Sequence, residues 1–113
     1  MLQDNYKVSY NQKTISNTVT FEGVGLHSGK RSRVSITPSS VDSGIIFLRS
    51  DLKVENSIQA LWSNVVSTKL CTSISNNKGA VVSTIEHLMS ALSGLHIDNA
   101  VINIDGPEVP IMD

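Results

Sequence analysis

Glu86 and His87 stand side by side in the stretch VVSTIEHLMSALSGL, which covers residues 81–95. A neutral imidazole is a good zinc ligand, and a neighbouring carboxylate is able to take a proton from water that such a metal activates. A structural interpretation is also open, because Ser83 and Glu86 fit the S-x-x-E capping box of a helix N-terminus. The pattern alone favours the cap for Glu86 and an ordinary exposed side chain for His87.

The helix that would carry this pair is predicted from apolar residues spaced at i, i+3, i+4 and i+7. Gly94 is well placed to end that helix. At 100° per residue, Glu86 and His87 lie roughly 110° and 150° from the centre of the apolar stripe. Both side chains are therefore expected on the side that faces away from the core. The stripe consists of Ile85, Leu88, Met89 and Leu92.

A metal site needs more ligands than this helix supplies. The H-E-x-x-H pattern is absent, so no second histidine lies one turn away from His87. A catalytic zinc normally has three protein ligands, and the only other histidines are His27 and His96. Distant turns could bring the three histidines together into a self-contained module. We favour a metal site whose remaining ligands come from residues outside this segment.

The glycine-rich stretch EGVGLHSGK, residues 22–30, does not match the nucleotide-binding motifs. Its G-x-G-x-x-x-G spacing differs from the dinucleotide fingerprint by one residue, and Lys30 is followed by Arg31 instead of Ser or Thr. A tight turn between two strands is predicted, with His27 at its tip. The single cysteine, Cys71, excludes an internal disulfide and is predicted to be a structural thiol that is buried or half-buried.

The remaining pattern predicts the elements that must position these residues. Alternating and β-branched segments indicate several strands before the helix and one after it, and this order indicates an α+β fold. We expect a mainly antiparallel sheet with one principal helix packed on it. Residues 1–13 are predicted to be a flexible N-terminal segment and residues 14–113 the folded domain. The predicted strands are 14–21, 31–38, 45–52 and 99–105, with shorter strands and a hairpin within 58–83.

Composition excludes several classes of function. A net charge of −1 and an aromatic content of 4% argue against nucleic acid as a partner. No apolar run approaches the roughly 20 residues of a transmembrane helix, and the first residues contain no apolar leader segment. A lone cysteine is typical of a reducing compartment. We therefore expect a cytoplasmic protein without a transmembrane segment.

Five ordered stretches together are more specific than any of these patterns. They resemble the zinc-dependent UDP-3-O-acyl-N-acetylglucosamine deacetylases of lipid A biosynthesis. The resemblance runs from Thr14 to Asp113 and implies two similar α+β domains with the active site between them, this chain being the first. It also implies a hydrolase that uses Zn²⁺. The stretches are GVGLHSGK (23–30), SGIIFLRSDL (43–52), TKLCTSI (68–74), STIEHLMSALSGLHIDNAVI (83–102) and GPEVPIMD (106–113).

The resemblance implies a role for each matching residue. Glu86 would be the general base and His87 the first zinc ligand. Leu70 and Cys71 would border the passage for the acyl chain, and His27 would lie near the substrate. A second domain would supply a His-x-x-x-Asp ligand pair and the acid histidine, which have no counterpart here.

This missing second domain is the partner that the chain is expected to need. The chain alone is therefore predicted not to turn over the substrate, UDP-3-O-acyl-N-acetylglucosamine. The alternative is a stand-alone, non-catalytic relative that binds a partner or regulates the full enzyme.

Overall fold

A computed structural model describes residues 11–67 and 71–111. This part of the chain is α+β, as predicted, with eight strands, a short 3₁₀ helix (Trp62–Asn64) and one α-helix. The elements are β1 (Val19–Val24), β2 (Arg31–Pro38), β3 (Ile45–Arg49), β4 (Ser57–Gln59), β5 (Val65–Ser67), β6 (Thr72–Ser75), β7 (Val81–Ser83), α1 (Glu86–Gly94) and β8 (Ala100–Ile104).

Five strands form the main sheet in the order β1-β2-β8-β3-β4. All neighbouring pairs are antiparallel except β3 and β8, which run parallel. The last strand, β8, therefore lies at the centre of the sheet although it follows the helix in the sequence. Its alternate residues Ala100, Ile102 and Ile104 are fully buried, which is the pattern expected of a strand with one face on the core.

The helix α1 packs on this sheet through the predicted apolar stripe. Ile85, Leu88 and Leu92 are buried in one core cluster with sheet residues that include Phe47 and Ile102, and Met89 packs against the cluster. The stripe predicted from the spacing is therefore confirmed. Within the described residues, no helix is long and apolar enough to cross a membrane.

The first hairpin differs from the prediction in its boundaries. Strand β1 runs from Val19 to Val24 instead of 14–21, so the turn is shorter than the predicted 22–30. The reason is tertiary: backbone pairing with β2 continues through Gly23 to Val24, whereas Thr14 forms an isolated bridge with Asn99. The loop between the strands closes with hydrogen bonds from Gly25 N to Lys30 O (2.9 Å) and from Gly29 N to Gly25 O (3.0 Å).

A second, three-stranded sheet in the order β5-β6-β7 precedes the helix. The predicted hairpin joins β6 to β7, and Asn77 and Gly79 adopt positive φ angles of 61° and 109° in its turn. Strand β7 leads directly into the start of α1. The backbone N–H of Ile85 donates to Thr72 O (3.2 Å), so the small sheet fixes the place where the helix begins.

Most of the predicted flexible segment, residues 1–13, lies outside the described residues, which begin at residue 11. Lys13 N donates to the Asp98 carboxylate (2.8 Å), and Lys13 O accepts from Asp98 N (2.8 Å). The Gln12 side chain bonds to Asp42 and Asn99. The boundary stays a prediction, but Gln12 and Lys13 already contact the folded part.

Candidate functional site

The start of helix α1 contradicts the capping-box prediction. Ser83 is the last residue of β7 and pairs with Ser73 of β6, whose hydroxyl donates to the Ser83 hydroxyl (2.9 Å). The sheet therefore holds Ser83 in an extended conformation, and Glu86 is the first helical residue. Within the described residues no side chain caps this helix N-terminus. Glu86 has no capping role and is available for another one.

Thr84 makes the sharp change of direction between β7 and α1. Its φ is 60°, in the left-handed region, which is unfavourable for a β-branched residue and costs on the order of 1–3 kcal/mol. Its hydroxyl donates to the Glu108 carboxylate (2.7 Å), which holds this conformation in place. Strained backbone of this kind is concentrated at functional sites, and here it comes two residues before Glu86.

Glu86 is half-buried, and its two carboxylate oxygens have different environments. Oε2 accepts a hydrogen bond from the backbone N–H of Thr72 (3.2 Å). Oε1 is buried and has no hydrogen-bond partner among the described residues. A buried acceptor without a partner costs about 1–3 kcal/mol, so this oxygen is suited to accept a proton or a donor from a bound molecule. His87, beside it, is exposed.

A cleft of about 580 Å³ brings Glu86, His87 and His27 to one surface. Its walls are otherwise mainly apolar, so three groups able to exchange protons or bind a metal face one largely apolar space. The lining residues are Leu26, His27, Thr84, Glu86, His87, Leu88, Ala91, Val109, Pro110 and Ile111.

His96 lies apart from this cleft and has a structural position. It lines a different depression together with Lys13 and Asp98, and it has a φ of 58°. Its N–H donates to Ser93 O (3.0 Å), and the N–H of Ile97 donates to Leu92 O (2.9 Å). This is the Schellman arrangement that ends a helix. Gly94 is the last helical residue, as predicted, but His96 takes the left-handed position.

The three-histidine module is therefore wrong for the part of the chain that the structure describes. His27 and His87 share one cleft whereas His96 belongs to another. In residues 11–67 and 71–111, no group of three His, Cys, Asp or Glu side chains is placed to hold a metal ion. A zinc site that uses His87 needs further ligands.

The two residues expected near an acyl chain are only partly described. Leu70 lies outside the described residues. Cys71 is half-buried, as predicted, and its Sγ lies 3.8 Å from the Ser73 hydroxyl. Cys71 does not line the cleft of Glu86 and His87. The next residue, Thr72, contacts Glu86 through its backbone N–H, so this segment borders the site from the side of the small sheet.

Glu108 is the residue of this site that the sequence pattern did not single out. It is 4% exposed and accepts hydrogen bonds from Ser28 N (2.7 Å), His27 N (3.0 Å) and the Thr84 hydroxyl (2.7 Å). Its donors lie 24 to 81 residues away along the chain, so no local spacing could reveal it. The only sequence signal is its place in GPEVPIMD, one of the stretches that carry the family resemblance.

These hydrogen bonds keep Glu108 ionised at pH values well below those at which a glutamate usually takes up a proton. Burial alone would raise its pKa, but the Ser28 N–H, the Thr84 hydroxyl and the His27 N–H outweigh burial and lower the pKa from 4.5 to about 2. Gly25 leaves room for this contact, because a Cβ at that position would lie 2.3 Å from Glu108 Oε1. The turn glycine is therefore required by the buried carboxylate.

This lowered pKa predicts acid-sensitive stability. The unfolded chain binds the proton more readily, so the contribution of Glu108 is fully present above pH 4.5 and is lost as pH falls towards 2. We expect the difference in unfolding free energy between wild type and Glu108→Gln to shrink by about 2 kcal/mol from pH 7 to pH 3. Urea denaturation across this pH range measures it.

The matched control is Glu22→Gln, which alters an exposed carboxylate and should change the unfolding free energy by less than about 0.5 kcal/mol at pH 7. A Glu108→Gln difference that stays constant with pH would contradict the prediction.

Comparisons with known proteins agree with the resemblance seen in the sequence. The family profile described as LpxC, UDP-3-O-acyl N-acetylglycosamine deacetylase, matches residues 12–113. A UDP-3-O-acyl-N-acetylglucosamine deacetylase from Geotalea uraniireducens (strain Rf4) is 54% identical over 102 residues. One from Shewanella baltica (strain OS155 / ATCC BAA-1091) is 50% identical over 102 residues.

Each alignment covers 90% of this chain and 33% of the relative. The chain thus spans about one third of the length of these curated relatives. Since the family profile matches residues 12–113, which is most of the chain, the chain belongs to the UDP-3-O-acyl N-acetylglycosamine deacetylase family.

Proposed function

We propose that this chain supplies the general base and one metal ligand of a zinc-dependent deacetylase. The substrate would be UDP-3-O-acyl-N-acetylglucosamine, the compound in the names of the relatives, and the pathway lipid A biosynthesis. The observation that carries the proposal is Glu86, whose buried Oε1 has no hydrogen-bond partner among the described residues and which lines one cleft together with the exposed His87.

The donor set of the cleft fits part of a zinc site. His87 offers an exposed imidazole, which suits zinc, but the described residues hold no group of three ligands. We therefore assign His87 as one ligand and expect the others from residues beyond this set. When bound, zinc lowers the pKa of a water molecule towards 7 and polarises a carbonyl oxygen.

Glu86 is suited to act as the base because one of its oxygens is held and the other is not. The Thr72 N–H fixes Oε2, which orients the carboxylate, while Oε1 accepts no hydrogen bond from the described part of the chain and has lone pairs for a proton. As water attacks the acetamide carbonyl, Oε1 accepts the water proton. The carbon–nitrogen bond then breaks, an acid from outside the described residues protonates the amine, and acetate leaves.

The other predicted site residues take supporting roles in this proposal. His27 lines the cleft, so its exposed imidazole is available to a polar group of the substrate. Leu70 and Cys71 are proposed to border the acyl chain, next to the segment whose Thr72 contacts Glu86. The cleft walls are mainly apolar, and a further domain that covers them would exclude water from the reacting groups and strengthen electrostatic interactions there.

A further domain is part of the proposal, because the relatives are about three times as long as the matched segment. It would face α1 across the cleft and supply the missing ligands and the acid. A cytoplasmic location is also proposed, because a single cysteine is typical of proteins in a reducing compartment.

Acetate release by two purified proteins tests this function. The 113-residue chain alone should release no acetate above background with zinc present. A chimera, the Geotalea uraniireducens relative with its matching 102-residue segment replaced by that of this chain, should release acetate in a zinc-dependent way. A folded, zinc-loaded chimera without activity would contradict the proposal and favour a non-catalytic relative, and turnover by the chain alone would contradict the need for a second domain.

A further inference from the structure

The Glu108 carboxylate contacts both segments that form the cleft. On one side it accepts from the backbone N–H groups of His27 and Ser28. On the other side it accepts from the hydroxyl of Thr84, the residue two positions before Glu86. The glycine turn and the start of α1 are otherwise far apart in sequence, so this one buried side chain connects them.

Backbone contacts hold Glu108 itself in place on both sides. Ser83 N donates to Pro107 O (2.8 Å), and Val109 N donates to Ser83 O (3.0 Å), so the segment around Glu108 runs along the end of β7. The Ser32 hydroxyl donates to Glu108 O (3.0 Å). The carboxylate therefore has little freedom to move, and its hydrogen bonds transmit that order to the two segments.

The backbone around the Glu108 carboxylate has two unusual features that indicate a specific role for this contact. The Thr84 backbone is in the left-handed region, and the site of Gly25 has no space for a side chain beside Glu108 Oε1. A hydrogen bond to an ionised group is worth about twice a neutral one, so a buried carboxylate with several donors is able to maintain the strained turn.

We propose that Glu108 is a positioning residue, which sets His27 and the Glu86–His87 pair at a fixed separation across the cleft. The role rests on the proposed function, since it concerns the same site. Glu108 lines a separate depression on the other side of the turn and does not line the cleft, so it acts through the groups that it orients. It is not a catalytic residue.

Hydrogen exchange on the 113-residue chain tests this role without any activity. In Glu108→Gln, the amides of His27 and Ser28 should exchange at least about 10-fold faster relative to the amides of the β2–β8 pair. The Thr72 amide, which donates to Glu86, should show a smaller increase in the same direction. Equal acceleration of all amides would indicate a general loss of stability and overturn the proposal, as would unchanged exchange at His27 and Ser28.

Thr84 provides a matched pair of variants that keeps the test decisive if Glu108→Gln does not fold. Thr84→Val keeps the shape and the β-branch but removes the hydroxyl, whereas Thr84→Ser keeps the hydroxyl. We expect Thr84→Val to accelerate exchange at the His27 amide, although the two residues are distant in sequence. Thr84→Ser should keep this exchange as slow as in the wild type. The same exchange rate in both variants would overturn the proposal.

The chimera separates this role from the proposed function. Glu108→Gln should lower kcat by about 10- to 100-fold and leave KM within about 3-fold, because misplaced groups slow the reaction more than they weaken binding. The expected exchange pattern with an inactive chimera would contradict only the proposed function. An active chimera with an unchanged kcat in Glu108→Gln would contradict only the positioning role.

Discussion

Replacing Glu86 by glutamine in the chimera is expected to lower kcat by about 10²- to 10⁴-fold, the usual contribution of a general base. Glutamine has nearly the same shape and is able to accept from the Thr72 N–H as Oε2 does now. It does not accept a proton from water at neutral pH. KM and zinc content should therefore stay close to those of the unsubstituted chimera, which separates a lost base from a lost site.

The control for this prediction is Glu22→Gln, made in the same chimera. Glu22 lies in β1, is exposed, and forms a 3.5 Å ion pair with Arg31, an interaction that contributes little at the surface. Its kcat should stay within about 2-fold of the parent. A Glu86→Gln chimera with more than about one tenth of the parent kcat would show that another group takes the proton.

Replacing His87 by alanine is expected to remove stoichiometric zinc from the chimera. Loss of a group that only hydrogen-bonds to a metal ligand already weakens metal binding by about 10- to 100-fold, so removing a direct ligand should weaken zinc binding by at least about 100-fold. Metal analysis after dialysis against a weak chelator measures this without an activity assay. Because His87 is exposed, the substitution should leave the core intact, which circular dichroism would check.

His96→Ala serves as the matched control, because His96 ends helix α1 and lies in a different depression. Zinc content should be unchanged in this variant. If His96→Ala also lost its zinc, the histidines would have to act together and the site would differ from the one proposed. Stoichiometric zinc in His87→Ala would remove His87 from the ligand set.

Much of the fold follows from local patterns in the sequence. The stripe of Ile85, Leu88, Met89 and Leu92 predicted the helix and its buried face, because apolar burial is the main stabilising term for a short helix. Alternation predicted β2 at its observed bounds, Arg31–Pro38, and the turn-forming stretch SNNKG, residues 75–79, predicted the hairpin after β6. The same spacing placed Glu86 and His87 outside the core, and the structure shows both at the cleft.

The errors in β1 and the capping box, and the omission of Glu108, share one cause, contacts between residues of different elements. Pairing with β2 moved β1 towards the glycines, and pairing with β6 kept Ser83 in a strand, so the capping box did not form. In the same way, the place of β8 between β2 and β3 depends on contacts across the whole chain.

By itself the sequence determined the α+β class, the apolar face of α1 and the residues Glu86, His87 and His27 as those able to do chemistry. Only the tertiary structure decided that these three share one cleft, that His96 does not, and that Glu108 connects the two segments. The physical reason is that periodicity reports which face of one element is buried, whereas a site forms from the ends of several elements. Hydrogen bonds between such ends, here spanning up to 81 residues, have no local pattern.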